Sequence, residues 1–202
     1  MATELITGPA NECISYEQAL IQLRINTFDE SINESLVEEL ERLITVVRED
    51  AEEFTNRKFI TQTWRYYLDA WPRKNYIELP FSPLQSVSSI TILTKDEVSE
   101  SFSSTYYLQD TKSIPGRIIL VADQSWPCVE LYTMNPIQIE FICGYGNNPE
   151  DVPRKIIQAM LIQLTDLYEN RQGIVRGQPI QRLNTYERLL SSAIDYRFGA
   201  EK

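Results

Sequence analysis

The apolar residues of this chain change their spacing twice, and that double change limits the fold more than any other feature. Between Ile32 and Phe54 the apolar positions Ile32, Leu36, Leu40, Leu43, Ile44, Val47, Ala51 and Phe54 recur in steps of three and four. Such steps draw one stripe down an α-helix. From Thr61 the period drops to about two, in segments rich in β-branched and aromatic residues. Past Pro153 the helical period returns at Ile156, Ile157, Met160, Leu161, Leu164, Leu167 and Tyr168.

The first helical region holds two helices. Ser15 can cap a short one reaching Leu23, with Gln18 three residues on in capping-box spacing. Asp29 or Ser31 can cap the long one, with Glu34 in its first turn. Glu38, Glu39, Glu41, Arg42, Arg48, Glu49, Asp50, Glu52 and Glu53 fall mostly off the stripe. The expectation is a buried apolar side and a solvated acidic side.

The middle region predicts strands at Thr61–Leu68, Tyr76–Leu79, Val87–Leu93, Tyr106–Gln109, Arg117–Val121 and Ile137–Cys143. Turn residues separate them at Trp71-Pro72, Pro80 to Pro83, Pro115-Gly116, Asn135-Pro136 and after Gly144. No helical crossover lies between them, so antiparallel pairing is expected.

In the last region Asp151 can cap and Pro153 suits a first turn. Gly173, Gly177 and Pro179 then break the chain. A last helix is predicted from about Asn184, with Tyr186, Leu189, Leu190, Ala193 and Ile194 inward and Gly199 as its terminator. The predicted class is α+β, one domain over residues 1–202. Helices at about 15–58 and 152–198 pack together as a bundle, with an antiparallel β-block at about 60–146 inserted between them.

Chemistry-bearing patterns are sparse. The chain has no histidine, which removes the commonest general base and metal ligand. Cys13, Cys128 and Cys143 form no metal or disulfide pattern and read as buried free thiols. Gly144-Tyr145-Gly146 follows a strand but reads as a turn, not a phosphate loop. The acidic runs Glu38/Glu39/Glu41 and Glu49/Asp50/Glu52/Glu53 suit Mg²⁺ in principle, but a solvated helix face explains them more simply. No catalytic residue, cofactor or metal site is expected.

Net charge is −10, with 13 acids and 5 bases in residues 1–60 against 6 acids and 8 bases in residues 151–202. That balance argues against gripping DNA, which calls for a basic stripe. No segment has the apolar length of a membrane helix, and Met1–Ala10 lacks the features of a signal peptide. Two groups suit protein contact. Trp64, Trp71 and Trp126 lie in the β-block and are candidates for contact between copies. Arg176, Arg182, Arg188, Tyr196, Arg197 and Phe198 lie near the chain end, where arginine and aromatic rings suit docking on a partner.

Several segments carry a resemblance when read in order. They are Ser15–Ile25, the acidic helix ending Glu53-Phe-Thr-Asn-Arg-Lys-Phe-Ile, Ile60-Thr-Gln-Thr-Trp and Leu68-Asp-Ala-Trp-Pro. Ile77-Glu-Leu-Pro-Phe-Ser-Pro-Leu-Gln-Ser-Val-Ser-Ser-Ile follows, then Gln124-Ser-Trp-Pro and Ile139-Glu-Phe-Ile-Cys-Gly-Tyr-Gly. Val152-Pro-Arg-Lys-Ile-Ile-Gln-Ala-Met and Tyr168-Glu-Asn-Arg close the set, with the last 30 residues matching poorly. Together they resemble the tailed-bacteriophage head–tail connector family (adaptor, head completion), including the adaptor of gene transfer particles. Asn56 stands where that family's turn carries glycine.

The resemblance implies a structural subunit of the virion neck, made in the host cytoplasm, and not an enzyme. It implies a ring of about twelve copies under the portal protein, extending a channel through which DNA passes without specific binding. It also implies a surface for a stopper or tail protein. A different neck protein, stopper or tail terminator, is the nearer alternative, and a metal-dependent nuclease or packaging enzyme the more distant one.

Overall fold

A computed structural model of the chain describes residues 2–25, 34–170 and 184–195. The described residues fall into two compact units, one taking in 2–10, 56–145 and 195, the other 11–55 and 146–194 where described.

The first unit is the β-block. Its strands are β1 (Ala2–Thr7), β2 (Gln62–Leu68), β3 (Tyr76–Glu78), β4 (Leu84–Leu93), β5 (Ser99–Ser101), β6 (Tyr107–Asp110), β7 (Arg117–Leu120) and β8 (Ile137–Cys143). They form a five-stranded sheet in the order β1-β2-β8-β4-β5 and a three-stranded sheet in the order β3-β7-β6. Every pairing between these strands is antiparallel. Alternate residues of β8 (Ile137, Ile139, Phe141, Cys143) are buried, as the period of two requires. They join Tyr66, Leu68, Val87, Ile90 and Ile92 of the same sheet and Ile77, Tyr107, Ile118 and Leu120 of the other in one core.

Two strands lie outside the sequence expectation. None of the residues of β1 or β5 is buried, so neither carries the alternation that marks a strand. A sheet strand therefore precedes the first helix in sequence.

A register shift between Val87 and Ser89 opens the ladder from β4 to β8. The Gln109 side chain fills in on the other side of Val87: its Oε1 accepts from the Val87 N–H at 2.9 Å, and its Nε2 donates to the Val87 carbonyl at 3.2 Å. Gly144, just past β8, is a second junction. Its N–H donates to the Pro83 carbonyl at 2.9 Å, and its own carbonyl accepts from Gln85 Nε2 at 2.9 Å. The next N–H, of Tyr145, donates to the Phe59 carbonyl. The Gly144-Tyr145-Gly146 stretch is thus a turn tying three segments of the block.

The turn after β6 holds one strongly perturbed carboxyl. The Ser113 hydroxyl and the Arg117 guanidinium bond Asp110 at 2.6 and 2.9 Å, and the Ser113 and Lys112 N–H groups add to them. These donors favour the carboxylate and hold its pKa down to about 2. The ordinary value for an unfolded chain is about 3.9. The folded value is depressed, so this stabilisation is complete above about pH 4 and fades as the pH falls toward 2. Asp110→Asn is expected to melt lower than the parent at neutral pH, with the two midpoints converging near pH 2. A midpoint difference that stays constant from pH 7 to 2 would refute this origin.

The second unit is helical: α1 (Tyr16–Leu23), α2 (Glu34–Thr55), α3 (Arg154–Glu169) and α4 (Asn184–Leu190). The Ser15–Gln18 capping box is present in both directions, and Arg24 ends α1 in the left-handed region. The α2 stripe buries Leu40, Leu43, Ile44, Val47 and Ala51. It also buries two charges expected to be solvated, Arg48 and Glu52. Arg48 Nη1 lies 3.4 Å from Glu52 Oε2 one turn on, and its Nε donates to Glu12 Oε2 at 2.8 Å. Glu12 Oε1 accepts from the Thr45 hydroxyl as well. The paired signs let both charges leave water, which neither could do alone.

Pro153, not Asp151, stands at the N-cap of α3. Asp151 instead accepts from the Asn148 N–H across a 3₁₀ turn at Pro149–Asp151. In α4, Tyr186 and Leu190 are buried, and Tyr186 donates its hydroxyl to Asp50 of α2 at 2.6 Å. A 3₁₀ turn at Ser191–Ala193 follows. The proposed caps Asp29 and Ser31, the breaks Gly173, Gly177 and Pro179, and Gly199 lie outside the described residues.

Candidate interaction surface

All three tryptophans of the β-block are half-buried, each packed by one side on the core. Trp64 sits in β2, directly opposite Leu5 of β1. Its Nε1 donates to Gln62 Oε1 at 3.0 Å, its ring lies 4.5 Å from the Phe81 ring, and Lys58 Nζ stands 4.9 Å over it. Trp71 and Trp126 stack face to face at 4.8 Å and 6°. Both rings contact Phe102, which touches Tyr106 in turn. Trp126 Nε1 donates to the Lys74 carbonyl, whereas Trp71 Nε1 is buried without a hydrogen-bond partner among the described residues. The structure thus brings Trp71 and Trp126 together and keeps Trp64 apart on β2.

Exposed apolar side chains gather at one end of the five-stranded sheet. Leu68 of β2, Ile137 of β8 and Ile92 of β4 are level in register, so one end of the sheet carries the β4–β5 turn and the segments before β8 and after β2. Val98, Val129 and Met134 belong to these segments and are exposed, Met134 by 67%. An ion pair of Lys95 with Glu130 at 2.9 Å braces the same end.

One edge of the sheet is β1. Its six residues are exposed on both faces, Leu5 by 48% and Ile6 by 39%. A ladder to β2 holds it, together with Glu4, which accepts from the Tyr67 hydroxyl and lies 3.7 Å from Arg65. Arg65 also reaches Glu140 of β8 at 3.0 Å, so one polar row crosses three strands. No feature of residues 2–7 marked them beforehand.

Of the proposed docking residues only Arg188 is described, and it is exposed on α4. Arg176, Arg182, Tyr196, Arg197 and Phe198 lie outside the described residues. Asp195, just past the stripe that ends at Ile194, is buried and accepts from the Ser82 hydroxyl at 2.6 Å.

Cys13 and Cys143 are buried, but Cys128 is exposed, a correction to the expectation of three buried thiols. Burial and the Glu52 and Glu12 carboxylates push the Cys13 thiol far above its ordinary pKa, which leaves it unreactive. Among the described residues no group of three or more His, Cys, Asp or Glu is placed to hold a metal ion. None of their helices is long and apolar enough to cross a membrane.

No protein-family model and no curated protein matches the sequence. Solved structures, however, share the fold over its whole length. A chain from a structure described as the neck of an empty GTA particle computed with C6 symmetry has a TM-score of 0.82 at 17% identity. One from the virion of a native gene transfer agent (GTA) particle scores 0.79 at 18% identity. One from the neck of the native GTA particle computed with C12 symmetry scores 0.71 at 17%. In each case the match covers 100% of this chain and 99% of the other.

Proposed function

We propose that the chain is a structural, non-catalytic subunit of a virion neck, the adaptor ring that joins the portal of a DNA-filled head to the stopper or tail. The observation that carries this is the end-to-end likeness of its fold to chains in GTA neck and virion structures, two of them computed with C6 and C12 symmetry. A ring needs two different faces on each subunit that fit each other. The β-block offers two apolar surfaces of different make, the Trp71–Trp126 end and the β1 flank carrying Trp64. In this reading Trp64, Trp71 and Trp126 pack against neighbouring copies, about twelve to a ring. The net charge of −10 suits a channel through which DNA slides without binding.

The portal contact in this reading belongs to Arg176, Arg182, Arg188, Tyr196, Arg197 and Phe198. Asp195 is buried against Ser82, so a clean truncation starts after it. A chain lacking residues 196–202 is expected to keep its melting temperature and to lose attachment to DNA-filled heads. Unchanged attachment would move the docking surface elsewhere. Symmetry-free cryo-EM of the neck tests the role itself. A six- or twelve-fold ring of this chain against the portal is expected; a position below that ring would make it a stopper or tail terminator.

A further inference from the structure

We propose that, in the assembled ring, β1 is exchanged between copies: residues 2–7 of one subunit occupy the edge of β2 of the next. The inference rests on the ring reading above and names the contact that links neighbours.

A strand at a sheet edge normally earns its place by burying alternate side chains. β1 buries none of its six, and Leu5 and Ile6 stay exposed on either side of the register shift. Its hold on β2 is the main-chain ladder from Ala2↔Tyr67 to Thr7↔Thr63 and the Glu4 contacts to Arg65 and Tyr67. A net gain of about 1 kcal/mol per hydrogen bond is set against about 1–2 kcal/mol of backbone ordering per residue. With Leu5 and Ile6 adding only partial burial, the strand is held weakly.

The occupant follows from the strand itself. Whatever lies along β2 must present a carboxylate to Arg65, an apolar side chain to Trp64 and an irregular step next to it. In β1 these are Glu4, Leu5 and the register shift between Leu5 and Thr7. A second copy of this chain supplies all three, so exchange preserves every contact. What changes is the connection. Gly8, Pro9 and Ala10 link β1 to Asn11, whose side chain donates to the Asn147 carbonyl, and to Glu12, which is held by Arg48. Only three residues form this hinge, and exchange of an identical element between copies is a low-cost route to association. Neighbours held in a ring present the exchanged edge at a high effective concentration, which removes most of the entropic cost of pairing between chains. Passed from each subunit to the next, the exchange is head-to-tail and closes only when the ring closes.

Facing residues on β1 and β2 can be locked by a disulfide where they form a non-hydrogen-bonded pair, the closer kind at about 4.5 Å between Cβ atoms, and two pairs three residues apart sample both kinds. The test is a chain carrying Ala2→Cys and Tyr67→Cys in a Cys128→Ser background, with Leu5→Cys and Trp64→Cys as a second pair on the other face. Necks containing each variant are purified, oxidised and run on a denaturing gel without reductant. The expected result is a covalent ladder from dimer upward that collapses to one band on reduction. A fast-migrating, internally linked monomer from intact necks would overturn the exchange while leaving the ring reading standing. So would an absence of any disulfide with both pairs. If the parent chain itself is missing from necks, the ring reading fails and the exchange goes with it.

Discussion

Arg48→Ala is expected to destabilise the helical unit by about 3–5 kcal/mol, the usual penalty for removing one member of a buried ion pair. The Arg48 side chain is 7% exposed and that of Glu52 only 2%, so their attraction acts largely out of water. Removing the guanidinium leaves the Glu52 carboxylate buried without it. It also releases Glu12, which Arg48 holds at 2.8 Å in the segment leading into α1. The origin of the loss is checked by a second variant, Arg48→Met with Glu52→Leu, which replaces both charges by apolar groups of similar size. That double variant is expected to recover most of the stability lost in Arg48→Ala. Urea denaturation of the three proteins decides it. A double variant no more stable than the single one would mean that the carboxylate left buried at Glu52 is not the origin of the loss.

Gly144→Ala is expected to be comparably severe, about 2–6 kcal/mol, for two reasons that add. The φ of Gly144 is +127°, a region that costs a residue with a side chain about 1–3 kcal/mol. A Cβ there would also lie 2.7 Å from the carbonyl carbon and oxygen of Ile60 and 2.8 Å from the Thr61 nitrogen. All three are backbone atoms, so no rotamer change relieves the clash, and overpacking adds about 1–3 kcal/mol. The junction with Pro83 and Gln85 would have to move with it. Thermal unfolding monitored by tryptophan fluorescence reports on the β-block directly. A midpoint within a degree or two of the parent would show that this turn relaxes freely.

Legibility in the sequence followed burial. The α2 stripe, the Ser15–Gln18 capping box and the alternation in β8 could be read because each is a pattern of side chains facing a core. β1 and β5 could not, because main-chain pairing holds them and no side chain records it. Arg48 and Glu52 looked like surface charges because sequence shows their spacing but not Glu12 brought alongside from 36 residues away. Cys128 looked like the other cysteines until the fold placed it in an exposed loop. For the candidate surface, composition pointed to the tryptophans but not to their arrangement. The face-to-face contact of Trp71 with Trp126 depends on two loops 55 residues apart in sequence. Asp195 gave no signal at all, since its partner Ser82 lies 113 residues away.

The strand order β1-β2-β8-β4-β5 also sets a timetable for a chain leaving the ribosome. β1 emerges ahead of β2 and waits for it some 55 residues. β2 in turn waits for β8, because the Gln62↔Cys143 rung joins residues 81 apart. The centre of the five-stranded sheet is therefore among its last parts to form, at the cost of closing a long loop, which slows folding. Until then β1 and β2 both show open edges, and copies translated close together can meet through them before either chain is finished.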